Sequence, residues 1–554
     1  MLKGKTPFKL SFLSFALIAT TIVAIFFPIL SYGWMNFEDP SYYLTSPLFS
    51  DAPLLNRLIA AWFNAPESNY IPLTWNLTIL LAEFSPNSPQ AFHAFSLLLH
   101  LLNSLLAFLL VRRLGLKTLP TIITILLFAL HPLRVESVAW ASSIKGLLAA
   151  FFALGALVLQ TCPRLKLRST AIVLLFLLSL LSKQTLLLLP FVHYLLSLLS
   201  SEYRLNKSTY SILGMLSVLG AVAASQANAA NTLLTINQLA DGSVAPLKAL
   251  AALGHYLKLQ FIPTSLFPEY PANRHWFLIL LSALALIPLG LFAKKLLASP
   301  RPSLALVSFA SFFILLSPTL GLLTTPLEFA ADRLSYLPSL FFWLSLIFLL
   351  TRLPLPEPLN KARLAFPGAL LLLFTPLTIS QISHWKNDQS LTNHILAHQP
   401  NHYLANLHTA NAHAATKDFQ AALPFAKTLV EHHPYRYGGW KTFSQILIHL
   451  GNPEASLDSL EQALAEKTPI RADLYILRCQ PLRTLGRHEE ALESSQLALS
   501  HGISKPTFHH QNAIIYYSAN EAPQALQEIQ KGLAHSPDSP ILLALKAKIG
   551  ASMR

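Results

Sequence analysis

The sequence predicts an all-α membrane protein, a bundle of about eleven spans followed by a solenoid of short helical repeats. Three observations lead there. The chain of 554 residues is 53% hydrophobic and only 12% charged, about half the charged share of a soluble domain, and its mean hydropathy is +0.47. Up to about residue 385 the apolar residues gather into blocks of roughly 18–24, the length a helix needs to cross a bilayer, and no such block follows residue 390. Beyond that point a helix–turn–helix pattern returns every 34 or 35 residues. The domains are therefore a membrane domain, 1-389, with an outer loop at 31-90, and a repeat domain, 390-554. A disordered chain and an ordinary cytosolic enzyme are excluded.

The spans fall near residues 8–30, 91–111, 119–133, 138–160, 169–183, 185–200, 209–226, 276–293, 302–323, 334–352 and 363–383. Residues 1–389 hold 26 Lys+Arg against 13 Asp+Glu, whereas residues 390–554 hold 14 against 13. With Lys3, Lys5 and Lys9 in the cytoplasm, the inner loops carry 17 basic residues and two acids, Glu202 and Glu357. That is the positive-inside bias, and it accounts for the basic balance without a nucleic-acid partner. Leu247–Phe261 contains Lys248, His255 and Lys258, which are expensive in lipid. It reads as an outer helix at the interface, and the repeats then lie outside the cytoplasm. The first span ends without a small-residue cleavage site, so it reads as an uncleaved anchor. Cys162 falls inside and Cys479 outside, so no intramolecular disulfide is expected.

Polar groups in such a chain mark chemistry, because lipid penalises them. Glu38-Asp39 follows the first span directly, and paired carboxylates there suit a general base and its neighbour. His131, Arg134 and Glu136 share one short turn between the third and fourth spans. Lys183 sits at the tip of the fifth–sixth hairpin, and Asp332-Arg333 precedes the tenth span. Together they put Arg333, Lys183 and Arg134 on one face of the membrane opposite two carboxylates, an arrangement able to hold a lipid-linked phosphate while a base activates a hydroxyl. There is no P-loop, no dinucleotide fingerprint and no HExxH. The histidines of the repeat domain share no ligand spacing, so no metal is expected.

The repeats align on turns at Lys417-Asp418-Phe419, Gly451-Asn452-Pro453, Gly486-Arg487-His488 and Asn520-Glu521-Ala522, with a small residue after each: Ala422, Ala455, Ala491 and Ala525. Prolines fall near the unit ends at 400, 434, 469 and 537. This is the period of the tetratricopeptide repeat, whose stacked pairs offer a concave surface to an extended peptide or partner protein.

On these residues the membrane half resembles the transmembrane and tetratricopeptide repeat containing proteins, membrane glycosyltransferases of the GT-C class related to protein O-mannosyltransferases. The resemblance is carried by Glu38-Asp39, by Pro72-Leu73-Thr74-Trp75, by His93, His100 and Asn103, by Phe128 through Trp140, by Lys183, and by Ala331-Asp332-Arg333 with Tyr336-Leu337-Pro338. Two places depart from the family pattern: Ile144-Lys145-Gly146 stands where Arg-Lys-Asp is usual, and Ile71 stands where a His is expected. The resemblance implies inverting transfer of a mannose-like sugar from a polyprenyl or dolichyl monophosphate to Ser/Thr hydroxyls on the non-cytoplasmic side. Asp39 would be the base with Glu38 assisting. Arg333, Lys183 and Arg134 would bind the leaving phosphate, supported by His131, Glu136 and Asp332. No metal is required, and the repeats would hold the acceptor polypeptide. The expected setting is a bacterial inner membrane with periplasmic repeats, or the endoplasmic reticulum membrane in a eukaryote. The competing readings are a non-enzymatic membrane scaffold and an oligosaccharide ligase that uses a pyrophosphate carrier.

Overall fold

The computed structural model describes the chain apart from residues 1–7, 38, 45, 65–69, 87, 233–244, 271–275, 299–302, 321–328, 354–355, 358, 466–470 and 553–554. Among the described residues there are helices and turns and no strand. The chain divides into two compact units, Met1–Leu391 and Thr392–Arg554.

The first unit runs α1 (Phe8–Phe26), α2 (Leu54–Phe63), α3 (Pro72–Phe84), α4 (Gln90–Arg113), α5 (Thr118–Ala129), α6 (Val135–Ala139), α7 (Ile144–Gln160), α8 (Arg168–Ser182), α9 (Leu189–Leu199), α10 (Lys207–Thr232), α11 (Ala245–Phe261), α12 (Trp276–Ala298), α13 (Leu304–Leu316), α14 (Tyr336–Arg352), α15 (Leu359–Ala362) and α16 (Ala365–His384), then opens α17 (Asp388–His398). Among the described residues each of the eleven apolar blocks contains a helix. Six helices among the described residues are long and apolar enough to cross a bilayer, and a seventh is reached if α5 and the segment Pro132–Ala139, bent by 56°, form one span. The expected count of about eleven is therefore not met by length. The 15 residues of α8 and the 11 of α9 rise only about 22 and 16 Å at 1.5 Å per residue, short of the roughly 30 Å hydrocarbon layer.

Small residues set the packing of this unit. α7 lies between α4 and α8 and buries Ala149, Ala150, Ala153 and Ala156. A Cβ at Gly155 would stand 3.4 Å from Leu175 of α8. Helices without a water-driven attraction associate through such close approach. α11 meets α12 more tightly still, since a Cβ at Gly254 would fall 1.9 Å from the Leu278 carbonyl oxygen.

The second unit stacks α18 (Tyr403–Ala415), α19 (Phe419–His432), α20 (Tyr437–His449), α21 (Pro453–Ala465), α22 (Arg471–Thr484), α23 (His488–Ser500), α24 (Lys505–Ser518) and α25 (Ala522–His535) as four helix pairs, closed by α26 (Pro540–Ser552). The leading residue of every aligned turn is left-handed: Lys417 and Asn520 at φ 61°, Gly451 at 78° and Gly486 at 74°. This is the helix C-terminal cap in which glycine is favoured. Five residues past each such turn stands the buried small residue of the helix crossing. Ala422, Ala491 and Ala525 occupy it as expected, but in the second unit it is Ser456, not Ala455. Ala455 is one position out of register and exposed, because the side chains of adjacent helical residues point about 100° apart. Ser456 meets Ser444 through a 2.7 Å hydroxyl hydrogen bond. Between units the core is continuous, as in the cluster Leu457, Cys479, Leu482, Ala491 and Ile515. The proline at 469 lies outside the described residues.

Candidate active site

The segment after α5 builds the site. His131 closes the helix by accepting the Leu133 backbone N–H at Nδ1, 3.2 Å away, while its Nε2–H donates to the Gln260 carbonyl at 3.1 Å. Its ring meets Phe374 of α16 with centroids 4.5 Å apart. His131 thus fastens the turn to α11 and α16. Pro132 then breaks the helix by lacking an N–H, and the chain turns through α6 to Ser143 before entering α7.

Two distant segments attach to the stretch from Glu136 to Lys145. From one side comes Arg333: its guanidinium pairs with the buried Glu136 carboxylate, its backbone N–H donates to Glu136 Oε2 at 2.8 Å, and it lies over the Trp140 ring, 5.2 Å from the centroid. A further Arg333 N–H reaches the Pro268 carbonyl at 3.1 Å. The turn carrying it is latched by two tyrosines. Tyr256 Oη accepts the Ala331 N–H at 3.0 Å and donates to the Ala331 carbonyl at 3.1 Å. Tyr270 donates to Asp332 at 2.7 Å. Burial and the Asp332 carboxylate push the Tyr270 hydroxyl well above its usual range, so it remains a donor. His255, packed 4.4 Å from the Tyr270 ring, is pushed down to about 4, first by burial and then by Lys258.

From the other side comes Asp39, fully buried. Its Oδ2 accepts the Met35 N–H at 2.8 Å, and its Oδ1 accepts the Ser142 N–H at 3.1 Å together with the Ser142 hydroxyl. Beside it Lys145 donates to Tyr42 Oη at 3.0 Å and lies over the same ring, 4.4 Å from its centroid. Tyr42 packs on Trp75, with centroids 5.1 Å apart. The outer loop is therefore folded back on the bundle, and a second tie confirms it: Thr74 donates to the Ser182 carbonyl at 2.9 Å and Gln184 donates to the Tyr70 carbonyl. Not all of the loop's aromatic residues dock. Trp75 is buried, whereas Phe63 and Phe84 are exposed.

The sequence-predicted residues thus divide. Asp39, Glu136, Arg333 and Asp332 converge around one stretch. Glu38 lies outside the described residues. Lys183 is half-buried in the α8–α9 turn, which its neighbours Ser182 and Gln184 tie to Thr74 and Tyr70. Arg134, expected to bind the donor phosphate, has its side chain enclosed completely. It donates to Ser335 Oγ at 2.9 Å, the Ser335 carbonyl at 3.3 Å and Ser339 Oγ at 3.1 Å, and it stacks on Tyr336 and Phe128. A helix of this unit that begins with serines offers a buried guanidinium the acceptors it needs, so Arg134 holds the first turn of α14. On the opposite side of Tyr336, His100 and Asn103 of α4 meet its hydroxyl at 2.7 and 3.3 Å.

Sequence reasoning passed over Ser142, Lys145 and Tyr42. Lys145 had a visible signal: inside the departure Ile144-Lys145-Gly146 it keeps the central cation. Among the described residues no group of three or more His, Cys, Asp or Glu is placed to hold a metal.

No family model matches the chain, and no curated protein does. Solved structures similar to it include a thermophilic tetratricopeptide repeat protein of Thermus thermophilus, at 22% identity over 33% of this chain and 94% of that one with a TM-score of 0.26. Another is a tetratricopeptide repeat protein from Parabacteroides merdae, at 14% identity over 35% of this chain and 85% of that one with a TM-score of 0.25.

Proposed function

We propose that the chain is a membrane glycosyltransferase that moves a sugar from a polyprenyl monophosphate to Ser/Thr hydroxyls of proteins on the non-cytoplasmic side, with the repeats holding the polypeptide. The observation supporting this reading is the convergence of Asp39 and Arg333, 294 positions apart in the sequence, on the single stretch from Glu136 to Lys145. A carboxylate and two cations are thereby set within one turn-and-helix element. The Ser142 hydroxyl donating to Asp39 occupies the place that an acceptor hydroxyl would take. When the acceptor displaces it, Asp39 removes the hydroxyl proton, the acceptor oxygen bonds to the sugar C1 with inversion, and the C1–O bond to the phosphate breaks. The polyprenyl phosphate leaves with its charge balanced by Arg333 and Lys145, so the lipid-linked sugar is a substrate and a metal is not required. Eleven crossings, with the bilayer thinned locally at the shorter helices, put the repeats outside; a C-terminal reporter active only in the cytoplasm stays silent on this topology and lights up if the number of crossings is even.

A second reading is a scaffold that keeps working repeats and no transfer. It is favoured by the enclosure of Arg134 and the engagement of Arg333 with Glu136. The test is transfer of labelled sugar from polyprenyl monophosphate by the purified chain, with mass spectrometry of outer-side proteins in cells with and without it. Release of a pyrophosphate carrier instead would indicate the oligosaccharide ligase. A phenotype that survives Asp39→Asn, with no transfer by either chain, would establish the scaffold.

A further inference from the structure

The near-neutral balance of residues 390–554 conceals a division of charge between two layers. The first helices of the repeats, α18, α20, α22, α24 and α26, pack successively on one another as the inner layer. They hold seven Lys and Arg against one acid, Asp473. The second helices, α19, α21, α23 and α25, hold eight Asp and Glu against Lys427 and Lys531. One inner cation, Arg478, is balanced across the layers by Glu461 at 3.0 Å. Arg483, Lys546 and Lys548 make no ion pair among the described residues.

Two of these cations, Arg483 and Lys548, border a cavity. About 700 Å³ lies open between α22, α24 and α26, lined by Arg483, Tyr517, Asn520, Leu545 and Lys548 among others. Arg483 is half-buried there, and its Nε has no hydrogen-bond partner. A desolvated guanidinium edge without an acceptor is unfavourable, and a carboxylate is the group that satisfies it in a two-point geometry. Tyr517 and Asn520 add hydroxyl and amide donors, and Leu545 supplies an apolar floor.

We propose that this cleft and the basic inner layer bind an extended polypeptide segment rich in Asp and Glu. The acidic outer layer repels such a segment, so it is taken on the inner face alone. Arg483 and Lys548 each receive a carboxylate, and the intervening residues lie along Tyr517 and Leu545. This deepens the reading of the repeats as a polypeptide-holding element and rests on that part of it. It does not depend on the transfer chemistry, because the test reads binding alone.

The test uses the full chain in nanodiscs of neutral phosphatidylcholine. Two fluorescein-labelled twelve-residue peptides with amidated C-termini, one of alternating Glu and Ala and one of alternating Lys and Ala, are titrated by anisotropy. The acidic peptide binds, the basic one does not, and affinity falls as salt rises. Lys548→Glu, a change at an exposed position, weakens binding by at least about threefold, in line with one exposed pair lost and reversed. Adding Arg483→Gln brings the loss to about tenfold or more. Equal affinity for the two peptides, or an unchanged dissociation constant in the doubly substituted chain with its helical content intact, overturns the proposal.

Discussion

Replacing Asp39 by Asn separates two roles that the structure gives this carboxylate. Both oxygens are in use: Oδ2 takes the Met35 N–H, and Oδ1 takes the Ser142 N–H and hydroxyl. An amide has only one oxygen. In either orientation its NH2 faces a backbone N–H, leaving a buried donor unmatched, which costs about 1–3 kcal/mol. The substitution therefore loosens the docking of the outer loop by that amount, before any chemistry is considered. On the proposed mechanism it also removes the base, worth about 10²–10⁴ in rate, or roughly 3–5 kcal/mol of transition-state stabilisation. Ser142→Ala is the control. It deletes only the hydroxyl and leaves both amide bonds, so stability drops by about 1 kcal/mol and transfer persists. The assays are thermal unfolding of the solubilised chain and transfer from a polyprenyl-phosphate sugar at saturating donor. Full transfer in Asp39→Asn would refute the base assignment. Equal loss in Asp39→Asn and Ser142→Ala would show that Asp39 acts by docking the loop. Undiminished stability in Asp39→Asn would contradict the hydrogen-bond geometry itself.

Four further outcomes follow from the same structure. Glu136→Gln leaves the Arg333 guanidinium without its buried partner and costs about 3–5 kcal/mol, read as lowered thermal stability or yield; an unchanged melting curve would remove the pair from the structural account. Lys417 is held at φ 61° without the freedom of glycine, so Lys417→Gly raises repeat stability by about 1 kcal/mol, whereas Gly451→Lys lowers it by a similar amount, both by denaturant unfolding. Burial pushes the Cys479 thiol up to about 12, while Cys162 is half-exposed. At pH 7.5 maleimide therefore labels Cys162 and leaves Cys479 until the chain is unfolded, and early labelling of Cys479 would contradict its burial. His408 is pushed down to about 4, by burial first and then by His402. The unfolded chain takes up its proton near pH 6.5 while the folded repeat does not, so this residue makes stability fall as pH drops from about 6.5 toward 4, by up to roughly 3 kcal/mol. His408→Leu flattens that slope, and a slope of the same size in the variant would assign it elsewhere.

What could be read from the sequence was what local spacing encodes. The four turns of the repeat domain were legible because the cap conformation demands a particular residue at one point, and φ is positive at Lys417, Gly451, Gly486 and Asn520 alike. In the second repeat the small apolar residue, Ala455, and the five-residue spacing shared by the other repeats disagree, and the fold follows the spacing to Ser456. Span number was less legible. Hydropathy reports the apolar content of α8 and α9 but not that Lys183 in its extended conformation ends α8 and Leu188 opens α9, and the bend at Pro132 merges or divides a span according to geometry alone. For the candidate site, the sequence lists the polar residues but not which of them pair. Arg134 and Arg333 carry the same charge and flank the same motifs, yet one is buried among the hydroxyls of α14 and the other is partnered by Glu136, a carboxylate 197 positions away. Counting cations gives the capacity of a site for an anion, whereas the partners already present set what an anion must displace. Arg333 donates from Nη1 to both Glu136 and the Pro268 carbonyl and has the Trp140 ring beneath it. On the proposed reading a donor phosphate shares the guanidinium with that carboxylate, and a second cation relieves the mutual repulsion of the two anions. On the proposed reading Lys145, held 3.0 Å from Tyr42 on the helix that continues the same stretch, supplies it. The departure Ile144-Lys145-Gly146 therefore preserves the charge that the arrangement needs while giving up its neighbours.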